Sequence, residues 1–100
     1  MPDHIYSVEE VAQTVLPLLK KYHAERAVLF GSYARQEATV HSDIDLVVIG
    51  GPDFDPTDTF CIADELHRMT GKNVDVYEIS EINAGTDFYQ TIFDEGVQIA

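Results

Sequence analysis

Positive charge is what this chain has least of. Six Lys and Arg stand against eighteen Asp and Glu, for a formal net charge of −12. So few cations cannot lay a stripe of phosphate contacts along a polynucleotide, so direct nucleic-acid binding is not expected. A basic protein partner, or a small anionic substrate neutralised by metal, suits the charge better. Cysteine occurs once, at Cys61, which excludes an internal disulfide framework and fits a reducing cytoplasm. No apolar run approaches the ~20 residues of a membrane span, and no basic-then-apolar leader opens the chain. Membrane and export are therefore not expected. Repeats, linkers and low-complexity tracts are missing too, so 1–100 reads as one domain, long enough to bury roughly two-thirds of its unfolded surface. His4, His23, His41 and His67 have no metal-ligand spacing and no paired nucleophile. Asp53, Asp55 and Asp58 lack the Gly and closing Glu of a calcium loop, and Pro56 interrupts them.

What is present reads as alternating helices and strands. Met1–Tyr6 forms an entry segment. Ser7 and Glu10 then match a capping box, followed by Val8, Val11, Ala12, Val15, Leu19 and Tyr22 at helical spacing. Pro17 falls inside this pattern and is expected to kink or split the helix near Leu16. Arg26–Phe30 reads as a buried strand, Ser32–Glu37 as a turn or two of helix, and Asp43–Ile49 as a second strand. A breaker-rich loop leads to a helix over Asp58–Met69, with Cys61 expected in its core and Gly71 as its C-cap. Asn73–Ile79 is the third strand, and a last helix ends near Glu95. The order is α-β-α-β-α-β-α.

The chemistry-bearing stretch runs from Phe30 to Val48. Gly31 and Ser32 end one apolar run and open a helix, and free N–H groups at such a turn attract anions. Asp43 and Asp45 alternate at the start of the second strand and so face the same way, with Cα atoms about 7 Å apart. That span suits convergence on a pair of metal ions roughly 4 Å apart. If the Gly31–Ser32 turn is to meet Asp43, strands one and two must run antiparallel. An ordinary crossover then makes strands two and three parallel, which delivers Asp75 beside the other two acids. Three carboxylates at 4 Å repel by about 4 kcal/mol per pair at an effective dielectric near 20, so a cation or a bound proton is required. Mg²⁺ takes such oxygens together with substrate phosphates. Phosphate cradle and acids together predict phosphoryl or nucleotidyl transfer. Arg35 either reaches a phosphate or pairs with an acid to brace the turn. Ser42 steadies the aspartate strand or simply closes a turn, and Tyr33 is expected at the surface.

Gly31-Ser32, ten residues, then Asp43-Ile44-Asp45 resembles the signature of the DNA polymerase beta-like nucleotidyltransferase superfamily. The fuller Leu29-Phe30-Gly31-Ser32-Tyr33-Ala34-Arg35 with Ser42-Asp43-Ile44-Asp45-Leu46 is similar to its minimal nucleotidyltransferase (MNT) domains. One departure is Gln36, where the family often has glycine. The resemblance implies an α+β nucleotidyltransferase fold of the α/β kind: a mixed three-stranded sheet with helices packed on one face and acids on the other. It implies ATP held at Gly31 and Ser32, with Arg35 and Ser42 nearby, and two Mg²⁺ on Asp43, Asp45 and Asp75. The third acid serves as metal ligand or as base.

MNT domains are similar to antitoxins whose partner is a HEPN-domain toxin. The implied reaction is transfer of AMP to a hydroxyl, typically a tyrosine, on that partner within a homo- or hetero-oligomer. A binding-only antitoxin, needing no acids, is the rival expectation. Transfer to a small molecule is a third, although this chain has no further domain to grip one.

Overall fold

A computed structural model describes residues 4–100, so the first three residues of the expected entry segment lie outside the described residues. Helix α1 spans Val8–Lys21. It opens on the capping box read from sequence: Ser7 Oγ accepts from the Glu10 amide at 3.1 Å, and the Glu10 carboxylate accepts from the Ser7 amide at 2.9 Å. Such a cap contributes about 1 kcal/mol. The helix runs through Pro17 without a break. Pro17 and Gln13, whose carbonyl loses its helical donor to the proline, both lie on the exposed face where water replaces the bond. Val11, Val15, Leu18 and Leu19 form the buried stripe.

Strand β1 (Arg26–Phe30) is followed directly by the one-turn helix α2 (Gly31–Ala34) and, after a polar loop, by β2 (Ile44–Ile49). Helix α3 covers Asp58–Thr70 and ends at Gly71 in the left-handed region, φ 75°. Its inward stripe is Thr59, Ile62, Leu66 and Thr70, spaced by three and four. Cys61 falls outside that stripe and is exposed, contrary to its expected core position. Strand β3 (Val74–Glu78) leads through a 3₁₀ turn (Ile79–Glu81) to α4 (Asp87–Glu95).

The strands align as expected: β1 and β2 antiparallel, β2 and β3 parallel. The sheet has four strands rather than three. Residues Val97–Gln98 form β4, which pairs antiparallel with β1 and sets the order β3-β2-β1-β4. Two residues are too short a run for alternation to show in a sequence.

Helices α1 and α3 cover one face, burying Ala27, Leu29, Ile44, Leu46 and Val48. The acid-bearing face is not left bare, a correction to the expectation of helices on one side only. Val28, Phe30 and Val47 point that way, and burial of each contributes about 2 kcal/mol, which draws Ile92 of α4 and Ile82 over them. The part of this face that carries Asp45, Asp75 and Tyr77 stays open. Among the described residues, no helix is long and apolar enough to cross a membrane.

Candidate active site

The site is built where three segments meet at one end of the sheet. The first is the turn from β1 into α2. Gly31 has φ 73°, a conformation open to glycine, and a Cβ there would lie 2.6 Å from Asp45 Oδ2. Phe30, the residue before the helix, offers no side-chain acceptor to the first-turn N–H groups. Those groups have no partner inside the helix either, so the turn is receptive to an external anion.

Helix α2 is closed by a tight reversal. The Glu37 amide donates to Ser32 O at 2.9 Å and the Gln36 amide to Tyr33 O at 3.2 Å, with Gln36 at φ 58°. This is the Schellman arrangement, in which glycine normally holds the left-handed place. The departure at Gln36 is thus a real backbone conflict. Tyr33 was expected outside, yet only 2% of it is exposed; it plugs the core beneath α2, and among the described residues its hydroxyl has no partner within hydrogen-bond geometry. Arg35 is exposed and its Nε lies 3.4 Å from Glu37 Oε2. That contact is the acid pairing expected as one of its two roles.

The second segment is the loop into β2. Ser42 Oγ accepts from the Thr39 amide at 2.8 Å, and the Ser42 amide returns a bond to Thr39 O at 3.1 Å. The Ser42 hydroxyl is therefore taken up in closing the turn that presents Asp43. His41 is exposed and bonded through its amide to Thr39 Oγ1.

The third segment is β3. Asp45 and Asp75 are register partners in the parallel pair, so their carboxylates stand side by side on one face. Asp43, one residue ahead of β2, is exposed and shares with Asp75 and His67 an open cleft of about 500 Å³. The expected trio thus lies on one side of the sheet, next to a Gly31 turn that is only partly covered.

The electrostatics follow. Asp45 is half-buried and its pKa is pushed up to about 6, first by burial, then by the negative charges of Asp75 and Asp43 and a hydrogen bond with Asp75; Arg35 opposes the rise. Among the described residues no three metal-binding side chains already form a finished cage. Mg²⁺ does not need one, because it binds through one or two carboxylates and completes its shell with water and substrate phosphate. Hard oxygens whose negative charges crowd the half-buried Asp45 are a donor set that such a cation would relieve. Asp45 with Asp75, and Asp43 at the rim, are the residues able to hold it.

Two features went unread in the sequence. Lys72 is 4% exposed, and its ammonium donates to Val40 O at 2.8 Å, tying the Asp43 loop to the entry of β3. Nothing in a lone lysine after a C-cap glycine signals this. Tyr77, Phe30 and Phe88 also meet in a triangle, with ring centroids 5.5 to 6.2 Å apart, against the acid-bearing end. Its signal was available: Tyr77 is two residues from Asp75 and must share its face.

Comparison with known proteins completes the description. The family described as "Polymerase beta, Nucleotidyltransferase" matches residues 13–100. Two proteins of Methanocaldococcus jannaschii named as candidate protein adenylyltransferases are similar in sequence. One is 36% identical over 77 residues, covering 77% of this chain and 83% of the relative. The other is 31% identical over 90 residues, covering 86% and 90%.

Among solved structures, a toxin–antitoxin complex with AMP-PNP aligns at TM-score 0.76 and 22% identity, over 89% of this chain and 72% of that one. A candidate minimal nucleotidyltransferase aligns at 0.75 and 25%, over 92% and 95%. The tri-AMPylated HEPN toxin of Shewanella oneidensis in complex with its MNT antitoxin gives 0.68 and 21%, over 89% and 68%.

Proposed function

The chain belongs to the polymerase beta nucleotidyltransferase family, and from that membership we propose that it is a Mg²⁺-dependent protein adenylyltransferase. It moves AMP from ATP to a hydroxyl of a partner protein, a tyrosine of a HEPN-type toxin, and acts as that toxin's antitoxin in the cytoplasm. The whole of 1–100 serves as one catalytic domain. The observation that carries the reading is the Asp45–Asp75 pair, beside a turn where a Cβ at Gly31 would press on the carboxylate. The names of the Methanocaldococcus relatives and the AMPylated toxin complex support the choice of reaction and partner.

In this mechanism the first-turn amides at Gly31 and Ser32 receive the triphosphate, and the charge of Arg35 helps retain it. Ser42 fixes the turn that sets Asp43. Asp43 and Asp45, with Asp75 beside them, would hold Mg²⁺, which when bound neutralises the phosphates and the crowded carboxylates. Asp75 stands furthest from the Gly31 turn and takes the proton of the incoming hydroxyl. The hydroxyl oxygen bonds to the α-phosphorus, the bond from that phosphorus to the bridging oxygen breaks, and pyrophosphate leaves with the electron pair.

The test is incubation with the partner toxin and MgATP, followed by intact-mass measurement. An AMP adduct on the toxin that disappears with Asp43→Asn plus Asp45→Asn is expected. Neutralisation of the toxin with no adduct would instead establish a binding-only antitoxin, and an adduct indifferent to those changes would overturn the assignment of catalysis to these acids.

A further inference from the structure

The aromatic triangle beside the acids has an open side, and that side has a direction. Phe30, on β1, is 9% exposed, whereas Tyr77 on the edge strand β3 is 37% and Phe88 on α4 is 41% exposed. The uncovered ring surface is therefore on the β3 half of the face, the half that carries Asp75. Across the sheet the sequence of parts is the Gly31 turn after β1, Asp45 on β2 and Asp75 on β3. In-line displacement puts the leaving group and the incoming nucleophile on opposite sides of the phosphorus. With pyrophosphate at the Gly31 turn, the nucleophile enters from the Asp75 side.

We propose that Tyr77 and Phe88 form the acceptor wall of the site, against which the ring bearing the receiving hydroxyl lies. The occupant is a phenol side chain of the partner protein. Exposed ring edges and faces at this spacing favour another aromatic ring over an aliphatic alcohol. At Tyr77 the wall adjoins a groove of about 280 Å³ between the β3 edge and α3, lined also by Asp75, Glu81 and the 78% exposed Phe60, which gives the segment around the phenol a path round the edge of the sheet. The strongly acidic chain favours a basic flank on that segment. This inference rests on the adenylyltransferase reading and specifies which residues choose the acceptor.

The test compares wild type with Phe88→Leu, Phe88→Ala and Tyr77→Leu, using the partner toxin and MgATP, with thermal melting to confirm folding. The expected result is a three- to tenfold rise in KM for the toxin, about what one aromatic contact contributes, with KM for ATP unchanged. Wild type should also prefer the native toxin to one whose acceptor tyrosine is replaced by serine, and Phe88→Ala should narrow that preference. A rise in KM for ATP would overturn the proposal by assigning the wall to the nucleobase, and unchanged kinetics in folded variants would overturn it outright. If wild type modifies nothing, the adenylyltransferase reading fails and this one with it; if only the variants behave as wild type, this one fails alone.

Discussion

A methyl group at Gly31 and the carboxylate of Asp45 compete for the same space: a Cβ at 31 would stand 2.6 Å from Asp45 Oδ2. Gly31→Ala must therefore displace the acid or distort the turn, and it also places a side chain at φ 73°. The left-handed conformation costs roughly 1–2 kcal/mol. A shift of the carboxylate by about 1 Å costs on the order of a hundredfold in rate. Single-turnover AMP transfer should fall by that order while the variant still melts cooperatively.

The raised pKa of Asp45 sets a pH dependence. Unfolded, the group titrates near 3.8; folded, near 6. Between these values the folded chain keeps a proton that the unfolded chain has lost, so this group makes stability fall as pH rises from about 4 to 6. Above 6 the penalty is complete. Without divalent cations, Asp45→Asn should be more stable than wild type at pH 7.5, with the difference shrinking toward pH 4 in paired thermal melts. Mg²⁺–nucleotide affinity should drop below pH 6, approaching tenfold per unit where one proton competes.

Gln36 occupies the left-handed place that closes α2. Gln36→Gly should stabilise the chain by up to about 1 kcal/mol, the relief of a left-handed side chain less the entropy of glycine. His23, at φ 63° after α1, holds the same place in a second such reversal, with Ala24 N–H donating to Leu19 O at 2.9 Å. His23→Gly should add a similar increment, and the two should sum in urea denaturation because the sites share no contacts.

Lys72→Met removes the donor to Val40 O from a buried setting. Val40 is 38% exposed, so water takes up part of the lost bond and the cost is about 1 kcal/mol. Because the bond joins the Asp43 loop to the start of β3, kcat should fall as well, with partial recovery in Lys72→Arg. Urea melts and steady-state rates measure the two effects separately.

Much of this arrangement was legible because it obeys period and punctuation. The Ser7–Glu10 cap and the Gly71 stop follow from residue type, the antiparallel first pair from requiring the Gly31 turn to meet Asp43, and the meeting of Asp75 with Asp45 from alternation and one crossover. What escaped reading depended on partners distant in the chain. The short β4 exists because β1 has a free edge to fill. Helix α4 crosses to the acid-bearing face because Val28 and Val47 need cover there. Tyr33 turns inward because helical rotation after Gly31 aims it at the core, which the motif around it does not disclose. The assignment of roles to Asp43, Asp45, Asp75, Gly31, Ser32, Arg35 and Ser42 remains a proposal drawn from that geometry.

Asp45 and Asp75 face each other as partners across one parallel ladder, whereas Asp43 rides on a turn held by Ser42 and Thr39. The inner pair can separate only if the sheet itself comes apart, so their spacing is as durable as the native state. Asp43 stands exposed one residue ahead of that ladder and takes its position from the Thr39–Ser42 turn and the Lys72 bond to Val40 O. Local opening of the 39–42 turn would therefore displace one acid alone, whereas the gauge between the other two is lost only with the sheet.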